Sequence, residues 1–495
     1  MIEARASATS ITILIGALVY LGVLMAIGFY SSRNIRSRTD FMVAGRSLPL
    51  WLSVATVFAT WFGSGTLIGA AGAAYSGGIR GVLSNPIGSA ICLVVAAFFY
   101  VRVLRRMRLL TVPDLFRARY GRTAEVLSAL CIIPAYVGWV ASIFVAFGYV
   151  LHTVAGVDTS TAIVIGAAVT MIYTFVGGMW AVSLTDTLQA AVIIVGLFVL
   201  YPLVMGDVGG LSGLVRAAPE GAFRVLPEGG LREWLWFTQA LLVLGLGNVA
   251  SQDLLQRTFA ARSEWVAQWS MYLAALLYST VAMLPVLYGI AGSVLLPDLA
   301  DPELILPSIG LAYLHPLAMA LFAGAMFSAL MSSADGGMLA PASIFGENLL
   351  RVARPDLDDR QLLWAIRVAI IVVGLAGLLT ALYFQNVYQL MVKSFSILFV
   401  GLIIPMTAAI YWRRCNGAAA VSSLVAGMVS WMVLEGLATT YPADLIAAGI
   451  GLVVLVVVAV VTSQRYAPLP LADVDGNPIG YRDRLGVLGP FSRGR

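Results

Sequence analysis

Charge is what this chain has least of. Only 11% of its 495 residues are Asp, Glu, Lys or Arg, against about 25% in a soluble domain. Sixty per cent are apolar, and the mean hydropathy is +0.91. Water cannot solvate so apolar a chain, so its solvent is a bilayer. The scarcity of charge excludes a cytosolic enzyme, a secreted disulfide scaffold, a disordered protein and a nucleic-acid binder. Cysteine is nearly absent. Cys92, Cys131 and Cys415 are odd in number and widely spaced, which supports neither a disulfide framework nor a metal site. The two histidines, His152 and His315, fall in different apolar runs. No cluster of acids, bases or metal ligands remains for a membrane enzyme, and nothing calls for an organic cofactor or an obligate protein partner. The first residues lack the basic stretch of a signal peptide, and the first apolar run is too long for one, so it reads as a membrane helix.

What is present is apolar runs of membrane length, about 20 residues each. Thirteen are expected, at 10–31, 48–75, 81–102, 124–155, 159–177, 179–205, 233–256, 264–295, 308–341, 361–384, 386–412, 416–440 and 442–463. Short loops join them, and a polar tail follows. Placing the N-terminus outside puts 24 of the 30 basic residues on the cytoplasmic side. They cluster at 33–46, 102–122, 257–262, 351–367 and 413–414 and in the tail. One span more or fewer would scramble this pattern, so the positive-inside rule supports thirteen spans with N out and C in. The net charge of +5 is then an orientation signal. It does not mark an anionic partner.

Glycine and polar atoms inside a span are costly unless they line a cavity. The second span carries Ala59-Thr60-Trp61-Phe62-Gly63-Ser64-Gly65-Thr66, a place where a helix can unwind and bare carbonyls near 59–62. The seventh carries Gly245-Leu246-Gly247-Asn248, then Ser251, Gln252 and Asp253. Two breaks five helices apart are the pattern of an inverted-repeat transporter whose broken helices meet at the bilayer midplane. The plainer account is small-residue helix packing. In the ninth span Ala329, Ser332 and Ser333 share one helix face. A carbonyl at Ala329 and two hydroxyls would give an alkali cation hard oxygen ligands. Intramembrane charges are functional candidates by default. Asp186 and Asp335 are placed at similar depth toward the cytoplasm and are expected to share a cation pathway, or else to bond backbone locally. Asp253 and Arg257, one turn apart, read as a structural ion pair near the membrane surface. Lys393, the only lysine, could snorkel, bind an anionic group or pair with an aspartate, and Glu435 has no visible partner.

These motifs resemble the sodium:solute symporter family over nearly the whole chain. The run from Tyr173 to Asp186 with Gln189 resembles that family's entry into its fifth core helix. Ser251 to Arg257 resembles the stretch after its broken sixth core helix. The resemblance implies an all-α polytopic fold with a five-plus-five inverted-repeat core, one preceding helix and two trailing ones. It implies a single transporter domain at 1–463, with repeats at about 48–205 and 233–412 and a cytoplasmic tail at 464–495. It also implies one sodium held by the carbonyls of Ala59, Phe62 and Ala329 and the hydroxyls of Ser332 and Ser333. A second cation site or pathway would use Asp186 and Asp335, although Gly336 stands where other members have serine. Within the family the chain is most similar to the high-affinity choline transporter branch. Ala59 to Gly65, Pro113 to Tyr120 and Met331 to Asp335 carry that likeness.

On that branch's pattern Trp61 and Trp139 match aromatic positions of a choline cage. A quaternary ammonium cannot donate hydrogen bonds, so aromatic faces are its best partners. Simple aromatic packing is the other account of the two rings. Ser251 replaces a third cage tryptophan, Ser396 an aspartate, and Lys393 is added nearby. These changes leave room for a zwitterion, a carboxylate or a larger polar solute. The expected solute-binding residues are Trp61, Thr66, Trp139, Asn248 and Ser251. The expected activity is sodium-coupled import of a small organic solute into the cell by alternating access. A transporter-like membrane sensor is the alternative from a different class, and the tail is too short for its signalling domain.

Overall fold

The computed structural model describes residues 38–488 except 466, together with scattered positions between 15 and 26; the side chains at 38, 39, 173, 176–181 and 482 lie outside that description. The first expected span, at 10–31, falls outside the described residues apart from those scattered positions. The described residues are helical, with no strand among them. In a bilayer a helix satisfies its own backbone polar groups, which open strands cannot do.

The second expected span is two helices, α1 (Leu50–Trp61) and α2 (Gly65–Gly81), bent by 55°. The helix α3 (Leu83–Phe99) follows, then the long α4 (Arg122–Ala155). Next comes α5 (Thr159–Asp207). The seventh span is again a bent pair, α6 (Leu231–Ala250) and α7 (Gln252–Ala260), at 46°. After it come α8 (Glu264–Leu295), the short α9 (Ile305–Tyr313), α10 (Pro316–Ala353) and α11 (Asp359–Tyr383). The eleventh span is a third bent pair, α12 (Val387–Gly401) and α13 (Ile403–Tyr411), at 41°, and α14 (Gly417–Gly436) and α15 (Ala443–Thr462) close the bundle.

Among the described residues seven helices are long and apolar enough to cross a membrane, or up to ten if each bent pair is one span. Thirteen therefore remains an expectation. Helix α5 shows where counting is delicate. Its 49 residues would span about 74 Å if straight, more than twice the hydrocarbon core. Yet Gly166 packs on Phe147, Gly196 packs on Phe322, and the rings of Phe147 and Phe327 lie 4.7 Å apart. Gly166 and Gly196 would be about 45 Å apart in a straight helix. The chain therefore reverses between them, as two spans meeting near 177–179 require.

Two expectations shift in position, and one bend is new. The seventh span does break within the stretch quoted from the sequence, but not at Gly245-Leu246-Gly247. Those residues stay helical, and the chain extends at Ser251 (φ −77°, ψ 136°). Gly247 serves close packing instead, since a Cβ there would meet the Phe395 carbonyl at 2.9 Å. The ninth span starts at Pro316, and part of 308–341 belongs to α9. The bend at Leu402 was not expected from the sequence. Pro405 has no N–H for the Gly401 carbonyl four residues back, and that missing bond loosens the helix there.

Burial orders the bundle. The apolar window of α10 is 83% buried, whereas those of α14 and α15 are 28% buried. A helix apolar all round belongs in the centre, and α10 is the one on which the site is built. The trailing α14 and α15 pack mainly on each other and present Val429, Met432, Val453 and Val461 outward. Past α15 the chain returns over the helix ends: Arg102 donates to the Leu485 carbonyl at 2.6 Å and Trp269 to that of Leu488 at 2.9 Å.

Glu303, just before α9, caps α12. Its carboxylate accepts the N–H groups of Val387 at 2.8 Å and Tyr388 at 2.9 Å. Burial pushes its carboxyl from an ordinary 4.5 up to about 7; the two N–H groups partly oppose this and Asp301 adds to it. A raised carboxyl stabilises the fold fully below pH 4.5, and that contribution is lost as pH rises to about 7. The total is about 3 kcal/mol at most, at about 1.4 kcal/mol per tenfold change in proton affinity. Glu303→Gln mimics the protonated acid. In thermal unfolding of the detergent-solubilised protein the variant should gain on wild type between pH 5 and 7, with no further gain above. A difference in Tm that stays constant with pH would contradict this.

Candidate functional site

Helix α1 ends because Phe62 leaves helical backbone (φ −84°, ψ 53°). After the break, the N–H groups of Thr66 and Leu67 go to the Gly63 carbonyl. Among the described residues no backbone N–H beyond the break reaches the carbonyls of Ala59 or Phe62. These are the bared oxygens expected from the sequence. The break itself lies close to α10: a Cβ on Gly63 would lie 1.8 Å from Ser333 Oγ and 3.7 Å from the Ala329 carbonyl oxygen. Glycine at 63 is what permits that approach.

The five expected sodium ligands belong to the broken end of α1 and to α10 beside it, and Ser332 and Ser333 are buried. Ser333 Oγ donates to the Thr60 carbonyl at 2.7 Å, and Ser332 Oγ donates to Asp186. Each hydroxyl spends its proton on the protein and keeps oxygen lone pairs for a cation. Asp186 also accepts from Thr56. Asp335, one turn past Ser332, accepts from Thr174 at 2.5 Å, and its Oδ2 has no partner. The structure therefore gathers Asp186 and Asp335 around the serine pair. Thr56 and Thr174 are members of this cluster that sequence reasoning missed. Lone threonines in spans give no signal of their own.

Beside this cluster is a narrow cavity of about 20 Å³ between the two broken helices. Trp61, Trp139 and Asn248 line it as expected, joined by Asn85, Tyr278 and Phe395. Thr66 and Ser251 lie behind its lining. Thr66 Oγ1 donates to the Trp61 carbonyl at 3.1 Å and shares a hydrogen bond with Tyr278. Ser251 sits fully buried in the α6–α7 break, its Oγ unpartnered. Asn85 accepts from Tyr278 at 2.7 Å through Oδ1 and donates to Thr66 at 3.2 Å. The Asn85-Pro86 pair in an apolar run was the overlooked signal for it. Asn248 Oδ1 is buried with no partner.

The expected ion pair of Asp253 with Arg257 does not form. Asp253 is fully buried, and its carboxylate accepts the Trp61 indole N–H at 2.9 Å and the Tyr136 hydroxyl. Arg257 donates to the Asp253 backbone carbonyl at 2.9 Å. One turn apart, the two side chains point to different layers, Asp253 to the cavity wall and Arg257 toward α10. Lys393 also leaves the cavity. It pairs with Glu435 while Met391 and Phe395, two residues to either side, line the cavity. Residues two apart face opposite sides of a helix. Ser396 only returns its proton to the Val392 carbonyl at 3.2 Å. The cavity wall therefore combines aromatic rings with amides, serine hydroxyls and apolar side chains, with no charged group in its lining.

Comparison with known proteins identifies the family. The family model described as "Sodium:solute symporter family" matches residues 41–427. The chain is 28% identical over 446 residues to high-affinity choline transporter 1 of Caenorhabditis elegans, covering 83% of this chain and 76% of that one. It is 26% identical over 409 residues to the sodium/pantothenate symporter of Haemophilus influenzae, covering 81% and 84%. A Na+-coupled sialic acid symporter, solved in a substrate-bound outward-open state, superposes with a TM-score of 0.79 at 21% identity, covering 92% of this chain and 98% of that one. That last likeness speaks for the fold. This chain is a membrane transporter, not an enzyme, and it belongs to the sodium:solute symporter family.

Proposed function

We propose that the chain imports a small organic solute with a cationic head, a choline-like quaternary amine being the leading case, driven by one sodium ion. The observation that carries this reading is the uncharged aromatic cavity between Trp61 and Trp139, with Asp253 behind it. A carboxylate that accepts the Trp61 indole N–H makes the ring richer in electrons and its face more attractive to a cation. The carbonyls of Ala59, Phe62 and Ala329 with Ser332 and Ser333 hold the sodium. Sodium draws α1 and α10 together from the outside and thereby raises solute affinity, and the coupling is reciprocal. One charge crossing 100 mV is worth about 2.3 kcal/mol, and a tenfold gradient adds about 1.4 kcal/mol. One sodium can therefore drive roughly 500-fold accumulation of a neutral solute. In this reading residues 1–463 form one thirteen-span transporter domain, N outside, with 464–495 as a cytoplasmic tail.

A zwitterion is the second reading. The free Asn248 Oδ1 and the Asn85 amide supply polar contacts that a bare quaternary amine would not use. Proteoliposomes with an inward sodium gradient separate the two, offered labelled choline, an amino-acid betaine and a simple carboxylate. Accumulation of none of them, with sodium-dependent binding retained, would favour a sensor. Trp139→Ala should raise the KM for the transported solute about tenfold, within the 0.5–2 kcal/mol of one aromatic face, and leave sodium activation in place. An unchanged KM would make Trp139 a packing residue.

A further inference from the structure

Beneath the sodium-ligand cluster lies a cation that the transport cycle described so far does not use. Arg257 is 2% exposed, one of the largest fully buried side chains in the molecule. Its single recorded bond is from Nη1 to the Asp253 carbonyl, and both Nε and Nη2 lack a partner. The free edge of the guanidinium points at α10. A Cβ on Gly336 would lie 3.0 Å from Nη2 and 3.1 Å from Thr60 Cγ2. Gly336 directly follows Asp335, whose Oδ2 is also unpartnered. The guanidinium is therefore wedged between α1 and α10, one turn past Ser333, in space that any side chain at 336 would take. Asp186 and Asp335 lie within electrostatic reach of it, and neither closes an ion pair with it among the described residues.

We propose that Arg257 is a tethered cation that serves the Asp186–Asp335 pair in place of a second transported sodium. This rests on the sodium-symport reading and deepens it. Charge neutrality is the physical reason. A buried cluster tolerates little net charge, because unpaired ions away from water are costly. Asp186 and Asp335 contribute two negative charges, Arg257 contributes one positive charge, and one sodium at Ser332 and Ser333 closes the balance. A second sodium would leave a net positive charge. Asp253 stands outside this sum, because both its carboxylate oxygens are engaged in the cavity wall by Trp61 and Tyr136. Its charge is the one a cationic solute head would balance. When sodium leaves toward the cytoplasm, the free edge of Arg257 is positioned to take over the unpartnered oxygen of Asp335. The emptied site is then not left with two bare carboxylates on the return step.

The test is the sodium stoichiometry of the purified full-length chain in proteoliposomes. Equilibrium solute accumulation is measured against imposed sodium gradients, with the Hill coefficient for sodium measured alongside. Wild type should accumulate tenfold more solute per tenfold sodium gradient, with a Hill coefficient of 1. Arg257→Lys, which keeps the charge, should preserve that slope. Arg257→Gln combined with Gly336→Ser removes the tethered cation and adds a hydroxyl ligand. It should raise the Hill coefficient toward 2, read as transport or as sodium-dependent thermal stabilisation. A hundredfold slope in wild type overturns the proposal, as does a double variant that binds sodium and keeps a coefficient of 1. Where the double variant does not fold, the wild-type slope alone decides. No sodium dependence in wild type would instead sink the symport reading itself.

Discussion

Replacing Ser332 and Ser333 together with alanine is expected to abolish sodium-driven solute accumulation. The two hydroxyls are buried beside the bared end of α1, where Ser333 bonds the Thr60 carbonyl and Ser332 bonds Asp186. A cation at so buried a point depends on ligands from the protein. Each bond to a charged partner is worth about 1.5–3 kcal/mol, so losing two weakens sodium binding by about 100-fold or more. The measurement is uptake of labelled solute at fixed sodium, together with the sodium concentration for half-activation. Accumulation that survives the double substitution and stays sodium-dependent would place the ion elsewhere.

Gly63→Ala should be nearly as damaging for a different reason. Its new Cβ would fall 1.8 Å from Ser333 Oγ and 2.6 Å from Ser333 Cβ, which no structure accommodates without movement. Overpacking of this kind costs about 1–3 kcal/mol, and here relief comes only by parting α1 from α10. The separation pulls the Ala59 and Phe62 carbonyls away from the serine hydroxyls, so sodium-driven uptake should fall at least tenfold. Gly77→Ala is the control. It lies on α2 with no atom within 4 Å of its added methyl, and uptake should be unchanged. Equal behaviour of the two variants would show that the approach of α1 to α10 does not hold the ion.

Much of this was readable beforehand, and the exceptions share a cause. Gly63 and Gly65 beside Ser64 announced a break because glycine and polar atoms are expensive in a span, and the 55° bend lies there. Gly245 and Gly247 carried the same signal and proved to be packing surfaces. A local run of small residues does not say whether a helix unwinds or a neighbour approaches. The bend at Leu402 had a cause in sequence, Pro405, but prolines are common in spans and most bend nothing visibly. Lys393 was set near the solute by its place in the chain. Its side chain left with the helix face and met Glu435, 42 positions on.

Apolar run length and the quoted motifs determined membrane residence and the fold family, and the serine pair supplied the ion ligands proposed above. Each depends on one segment and the solvent around it, and such terms are carried by the local sequence. Which layer Asp253 and Arg257 face, whether Thr66 meets the solute, and what stands beside Gly336 were decided only in the folded bundle. Those outcomes turn on distances between segments far apart in the chain. At those distances a methyl group or a rotated helix face changes which charges meet.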